Sequence, residues 1–502
     1  MKEQNYFATI IFSLLVSIVQ LKAQTTLPAV APCNYVLTAS GSPYISSGNL
    51  EVPYGCTMSV DPGVEIKMAE NSHIIVKGKV NFAGTASQPI HIHAIDSIWG
   101  NIFLDSTLTQ KSSFNYVIIE NARQSVNPQQ EPGAIYGYYS SLEVKNCHFM
   151  NNLRCISNYK CLSSFIQNCV LDSSNRGEKL HHQYCNGAVI DNCILYATNG
   201  DNDAIDFDAS NNVTISNNFI YHGGDDGMDI GQCDSVGCDT VTIFGNYISH
   251  MYNKGISDGE YCHHITIHHN VIVGCALGIG AKSDAHVWAD HNTLYNNQMG
   301  VSSYQHLDQI WGPGYLTVTN CIIAGGDTTY HVDPTAYLTI AYSLSPDTLM
   351  PGTGNVKGNP AFVAPGIGLN PDFHIQAGSA AIDAGDPSYA PDPGGSRSDM
   401  GRYYLGQLNM IAQFNNDPRF NFYPNPSRGQ VRICFSNADK SSKARAELSI
   451  FDLTGRVIYK ENIATDNFNE GLNLDLSKQN AGVYYLQIRS DNSISSGKLV
   501  LE

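Results

Sequence analysis

Between residues 146 and 323 one pattern of apolar and polar positions recurs along the chain. An apolar–polar–apolar alternation leads to a small or amide residue, and two apolar positions follow. Copies are VTISNNFI (213–220), VTIFGNYI (241–248), ITIHHNVI (265–272), VWADHNTL (287–294) and LTVTNCII (316–323), while earlier ones end in NCHF, NCVL and NCIL. Aligned, they place Cys147, Cys169, Cys193, Asn218, Asn246, Asn270, Asn292 and Cys321 in one column, at steps of 22, 24, 25, 28, 24, 22 and 29 residues. Alternation with period two predicts short strands buried on one face, and the Gly, Asn and Asp between them predict bends.

A repeat of this length fits one turn of a parallel β-helix, three short strands per coil, with coils stacked about 4.8 Å apart. The amide column then has a physical reason. A buried Asn is costly alone, but stacked amides hydrogen-bond from coil to coil. Cys fills the same slot as a small hydrophobe, so at least four cysteines are expected in the core and not in disulfides. Cys233 with Cys238 and Cys33 with Cys56 remain as candidate bridges. Residues 44–122 carry less regular strands, VDPGVEIKM, HIIVKGKVNFAG, PIHIHAI, WGNIFLD and FNYVIIENA, which resemble the N-terminal coils of secreted β-helix proteins. GSAAIDAGDP (378–387) and GSRSDMGRYY (395–404) resemble the segment that closes such helices in bacterial surface proteins, and these flanking regions are the expected caps. The whole of 35–405 resembles a right-handed, pectin-lyase-like parallel β-helix.

Composition shifts after that. Residues 406–418 read as a linker, and 419–502 as alternating strands of a small Ig-like β-sandwich. Tyr423-Pro424-Asn425-Pro426, Gly429, the turn from Phe451-Asp452 to Gly455-Arg456, Gly482-Val483-Tyr484 and Lys498-Leu499-Val500 resemble the C-terminal sorting domain of the type IX secretion system. The resemblance implies the type IX machinery as a partner, passage across a bacterial outer membrane, and release or attachment at the cell surface. At the other end, Lys2 precedes an apolar run from Phe7 to Val19 with Ala23 after it. This reads as a signal peptide over 1–23, too short to span a bilayer. No second run is long enough, so no transmembrane segment is expected, and the mature chain is expected to be a secreted or surface monomer.

Charge narrows the partner. With 28 Lys plus Arg against 45 Asp plus Glu, the net charge of −17 disfavours nucleic acid and anionic lipid. Excess carboxylate suits a site for a divalent cation.

Candidate chemistry follows from aligning the strand that opens each coil. Leu180, Ile205, Met228, Ile256, Ile279 and Val301 point inward, so His181, Asp206, Asp229, Ser257, Gly280 and Ser302 form an outward column. Two positions on lie Gln183, Asp208, Gly231, Gly259, Lys282 and Tyr304; on the preceding bend lie Glu178, Asp203, Asp226 and Lys254. Asp203 and Asp206 should therefore stack on Asp226 and Asp229, with Asp201 and Asp225 beside them. Carboxylates about 5 Å apart raise each other's pKa or share a cation, and an all-oxygen set suits Ca²⁺. The bland alternative is Asp in exposed bends.

The Asp225-Asp226-Gly227-Met228-Asp229 stretch, with acids one coil earlier, resembles the calcium site of family nine β-helical pectate lyases. That resemblance implies a lysine base taking the proton alpha to a uronate carboxylate. Lys254 lies on the next coil but three positions from the family's place for it, Lys282 lies one coil further, and His181 is a third candidate base. Two longer coils insert QCDSVGCDT (232–240) and QHLDQIWGPG (305–314) after the same strand, as walls of a groove in which Tyr304 and Trp311 could stack on sugar rings. His264 and His286, with His268, Asp290 and Trp288 nearby, form an outward patch that lacks an evident fourth metal ligand and reads as surface. The expectation is a protein that binds acidic polysaccharide and cleaves it by calcium-assisted β-elimination; the rival is a non-catalytic adhesin or structural solenoid.

Overall fold

In the computed structural model, the described residues are 24–406, apart from 124–132, 173–176, 197–199, 201, 307–310 and 368–370, together with the strands of 420–501. The signal peptide, Asp201 and most of the 406–418 linker lie outside them.

Three sheets of parallel strands, with 15, 12 and 13 strands, run the length of the solenoid, successive strands of the chain passing from one sheet to the next, and a short antiparallel strand, Val236–Gly237, is added to the second. The register is the one the repeat predicts. Leu180 pairs with Ile205, Ile205 with Met228, Met228 with Ile256, Ile256 with Ile279, and Ile279 with Val301. All six side chains are fully buried. Burying each of them is worth about 1.5–3 kcal/mol relative to exposure, so a one-residue slip in any coil would forfeit several such terms at once.

The amide column stacks as a ladder. Asn218 donates its backbone N–H and its Nδ2 to Asn246 Oδ1, at 2.9 and 3.0 Å. Asn246 repeats both bonds to Asn270, and Asn270 repeats them to Asn292, at the same distances. At either end a thiol stands in. Cys193 N donates to Asn218 Oδ1 and Asn292 N donates to Cys321 Sγ. Cys147, Cys169, Cys193 and Cys321 are buried and free.

A second ladder escaped the sequence reading. Cys185 N donates to Ser210 Oγ, Ser210 N to Cys238 Sγ, and Cys238 N to Cys262 Sγ. Its existence corrects one expected disulfide. Cys33 and Cys56 are bridged, but Cys233 and Cys238 are both free. Cys238 is committed to the buried ladder, while Cys233 turns into a hairpin in which it pairs with Val236.

The ladder begins at Thr25–Thr26, upstream of 35, and its last strand is Val356–Lys357. Residues 378–387 and 395–404 were expected to cap the helix; part of the segment from 358 to 405 covers the flank of the 15-stranded sheet. Phe362, Phe373, Ile375, Ala381 and Met400 bury the outward apolar side chains of Val271, Val273, Ile322 and Leu344. The Arg402 guanidinium donates to the carbonyls of Asn246 and Gly245. Outward Val and Ile on a solvent-facing strand would otherwise be exposed, which is why the segment lies along the flank.

The C-terminal strands form antiparallel sheets of three and four strands. Val431, Ile433, Leu448, Ile450, Leu474, Leu486 and Leu499 form their common core, as a small β-sandwich requires.

Candidate functional site

The strands Leu180–Gln183, Ile205–Asp208, Met228–Cys233, Lys254–Asp258, Leu277–Lys282 and Met299–Tyr304 lie side by side in one sheet. Asp206 sits on Asp229, Asp229 on Ser257, and Ser257 on Gly280. In the bend before them, Asp203 Oδ1 accepts the backbone N–H of Asp226 at 2.9 Å, and Asp226 Oδ1 accepts that of Lys254 at 2.7 Å. A carboxylate that caps the next coil's N–H fixes the bend and holds its own charge in place.

The carboxylates expected in a single pocket fall into separate groups. Asp203, Asp225 and Asp226 converge, with ligand oxygens within 4.8 Å of one another. Asp206 turns instead towards His181 and Asp208, and His181 Nε2 stands 3.6 Å from an oxygen of each. Asp208 was not among the expected site residues, although the same alternation that selected Asp206 puts it two places on. Burial together with the Asp229 and Asp226 carboxylates pushes the Asp203 carboxyl up to about 8. Burial and its acidic neighbours, Asp208 first, raise Asp206 well above the carboxylate range. Asp229 Oδ1 is buried and has no hydrogen-bond partner.

Both lysines reach this face. Lys254 Nζ lies 2.9 and 3.2 Å from the two oxygens of Asp226. Burial would lower its pKa, but the Asp226 carboxylate outweighs that and the net shift is upward. Lys282 Nζ is 4.0 Å from Glu260 Oε1 and is also held cationic by Asp229. Tyr304 is paired with Lys282 across the strands. Its phenol is raised by burial and so stays protonated.

Two glycines make room for this. A Cβ on Gly259 would come within 2.5 Å of Lys282 Cε, so the lysine can lie flat across that position. A Cβ on Gly280 would meet Leu277 Cδ2 at 2.9 Å, Lys254 Cδ at 3.4 Å and Tyr304 Cε1 at 3.5 Å. Gly280 is thus buried at the bottom of a trough, covered by Leu277, Lys254 and Tyr304. Of the two insertions, the first forms a short hairpin on Met228–Cys233. In the second, Trp311 packs edge-on against Tyr261 at 5.2 Å between ring centroids.

Asp258 was also missed. The inward register that carries Ile230 and Ala281 places it inside the solenoid, fully buried, with neither carboxylate oxygen hydrogen-bonded. Burial raises its pKa well above the usual range, so it is neutral there.

Comparison with known proteins places these observations in a family setting. Residues 133–299 match the family described as right handed beta helix region, and residues 421–502 match the secretion system C-terminal sorting domain. No curated protein matches the chain. Similar solved structures include a periplasmic alginate epimerase (10% identity, 59% of this chain and 76% of that one, TM-score 0.44). The A-module of a mannuronan C-5 epimerase from Azotobacter vinelandii is 14% identical over 58% of this chain and 85% of its own, with a TM-score of 0.37. An alginate lyase from Paenibacillus is 16% identical over 56% and 93%, with a TM-score of 0.29. Likenesses this distant lend no activity to the present chain. No helix among the described residues is long and apolar enough to cross a membrane. The chain is a right-handed parallel β-helix protein that ends in a type IX secretion sorting domain, and it is secreted or displayed at the cell surface.

Proposed function

We propose that the face carrying Lys254, Lys282 and Tyr304 binds an acidic, uronate-type polysaccharide and cleaves it by β-elimination. The observation that carries this reading is the convergence of two ammonium groups and a protonated phenol around a glycine floor, at the edge of a carboxylate cluster. Two neighbouring cations suit a polymer with repeating carboxylates, and the Tyr304 ring beside them offers a face for a sugar. The acidic cluster also fits a calcium ion. Asp203, Asp225 and Asp226 would hold it, with the buried Asp229 oxygen near them, and a cation there would offset the mutual repulsion that raises the Asp203 pKa. When bound, calcium would neutralise a uronate carboxylate and acidify the proton alpha to it.

The chain's own groups supply the rest. Lys282 anchors a second carboxylate. Lys254, in its neutral form, takes the C5 proton; the C4–O bond breaks as the C4=C5 double bond forms, and Tyr304 gives its proton to the leaving oxygen. His181, flanked by Asp206 and Asp208, is the other titratable group on this face able to act as base.

One observation favours the second reading, a surface adhesin that binds without turnover. Lys254 is paired with Asp226, and an ammonium has no lone pair with which to take a proton. Following the ultraviolet absorbance of unsaturated products from a panel of polyuronates, with calcium and then with chelator, separates the two. Calcium-dependent product that disappears in Lys254→Ala supports elimination. Binding without product supports the adhesin, and neither binding nor product rejects both.

A further inference from the structure

A different cluster lies on the adjoining sheet. His263 opens the strand His263–His268, and His286 opens His286–Asp290 one coil later, tied back by its N–H to the Cys262 carbonyl. Between the strands Leu277–Lys282 and His286–Asp290 the chain turns through Ser283 and Asp284, at φ of +54° and +66°. This left-handed pair carries Asp284 to the two imidazoles; Asp tolerates that conformation better than most residues. The sequence pattern had set His264 above His286. In the structure His264 bonds Asp239 at 2.7 Å, and it is the His263 ring that stands 4.8 Å from that of His286.

The geometry has the dimensions of a coordination shell. His263 Nε2 lies 3.6 Å from Asp284 Oδ2, and His286 Nε2 lies 3.8 Å from Asp284 Oδ1. All three ligand atoms fall within 4.8 Å of one another. A proton cannot bridge such gaps, and His263 Nε2 is a buried atom with no hydrogen-bond partner. Two ligands on one tetrahedral zinc at about 2.0–2.1 Å stand about 3.3 Å apart, so a small contraction of this triad would bring three ligands to one ion. Beyond the imidazoles lies an open recess of about 550 Å³, lined also by Trp288 and Tyr315. Tyr315 stacks on the His286 ring at 4.2 Å between centroids and orients it.

We propose that His263, Asp284 and His286 bind a divalent transition-metal ion of the Zn²⁺ class, with the fourth coordination position facing the recess beside Trp288. Two imidazoles and one carboxylate with an open position suit zinc, cobalt or copper and not calcium, which takes oxygen ligands. The site is independent of the polysaccharide reading, since it shares no residue with the lysine trough.

The test uses the full chain without a histidine tag, in excess Ca²⁺ to fill oxygen-ligand sites. Zn²⁺ binding is measured by titration calorimetry, and Co²⁺ by its visible spectrum, in the wild type and in His263→Ala, His286→Ala, Asp284→Asn and His331→Ala. His331 belongs to a separate exposed pair with Asp333, so its variant reports generic surface histidine binding. The proposal expects one Zn²⁺ site, at least tenfold weaker in each triad variant and unchanged in His331→Ala. The wild type should also give the intense bands of four-coordinate Co²⁺. All triad side chains are partly exposed, so melting temperatures in the absence of metal should match and exclude misfolding. Equal Zn²⁺ affinity in wild type and His263→Ala, or no Zn²⁺ binding in wild type, would overturn it.

Discussion

Asn246→Ala is the perturbation that reads most directly on the solenoid's register. The Asn246 side chain accepts from the backbone N–H and Nδ2 of Asn218, and its own Nδ2 reaches Ile215 O, Phe244 O and Asn270 Oδ1. Alanine leaves the buried Asn218 N–H without an acceptor, at a cost of about 1–3 kcal/mol, and forfeits the modest net value of the remaining bonds; together about 2–5 kcal/mol. Asn246→Cys should cost roughly half as much, because a thiol can accept that N–H as Cys321 accepts that of Asn292 at 3.3 Å. For a solenoid of roughly 380 residues, the unfolding entropy is about 0.8 kcal/mol per degree, so Ala should lower Tm by about 3–6 °C if the coils melt together. Circular dichroism melts of wild type, Ala and Cys at identical protein concentration give the comparison. An Ala variant that melts with the wild type, or a Cys variant that melts below Ala, would refute the claim that the column is an energetic ladder.

Three further outcomes follow from the same geometry. Calcium should raise the wild-type Tm, by an amount equivalent to about 2.7 kcal/mol at a hundredfold excess over Kd, and the Asp226→Asn/Asp229→Asn double variant should lose that rise; equal melts with and without calcium in both proteins reject the ion site. His182 lies inside the solenoid against Asn158, Ser164 and Phe207, and burial lowers its pKa to about 3. The unfolded chain therefore binds more protons between about pH 3 and 6.5, so stability should fall as pH falls through that window, at up to about 1.4 kcal/mol per unit, and His182→Gln should flatten the dependence seen in denaturant melts. Gly280→Val should push Leu277, Lys254 and Tyr304 from their places over that position and weaken polyuronate binding, whereas Ser302→Val, in the same column one coil on, should retain it.

Register was legible because alternation and repeat length are both written in residue type. Val213, Val241 and Ile265 fix the inward face of their strands, and the left-handed residues Asn217, Gly245 and His269 reset the alternation so that Asn218, Asn246 and Asn270 also point inward. The same logic found Asp206 over Asp229, and Lys282 beside Tyr304. It did not find which way a carboxylate swings from its strand. Asp206 leaves Asp203 for His181, its direct partner on the adjoining coil, and for Asp208, two residues along its own strand. Bends defeated the reading as well: His264 is itself left-handed, at φ of +54°, and breaks the alternation of its own strand, so His263 rather than His264 meets His286. Asp258 was legible in principle, since it lies two places on from the inward Ile256 and shares its inward register.

The lysine trough is tested most directly by the affinity of a uronate oligosaccharide for the wild type and for Lys254→Ala/Lys282→Ala, measured by calorimetry at fixed ionic strength beside a neutral oligosaccharide of equal length. The account predicts saturable binding of the acidic sugar, none of the neutral one, and at least a tenfold loss in the double variant. Equal affinity in the two proteins, or equal affinity for the two sugars, would contradict it.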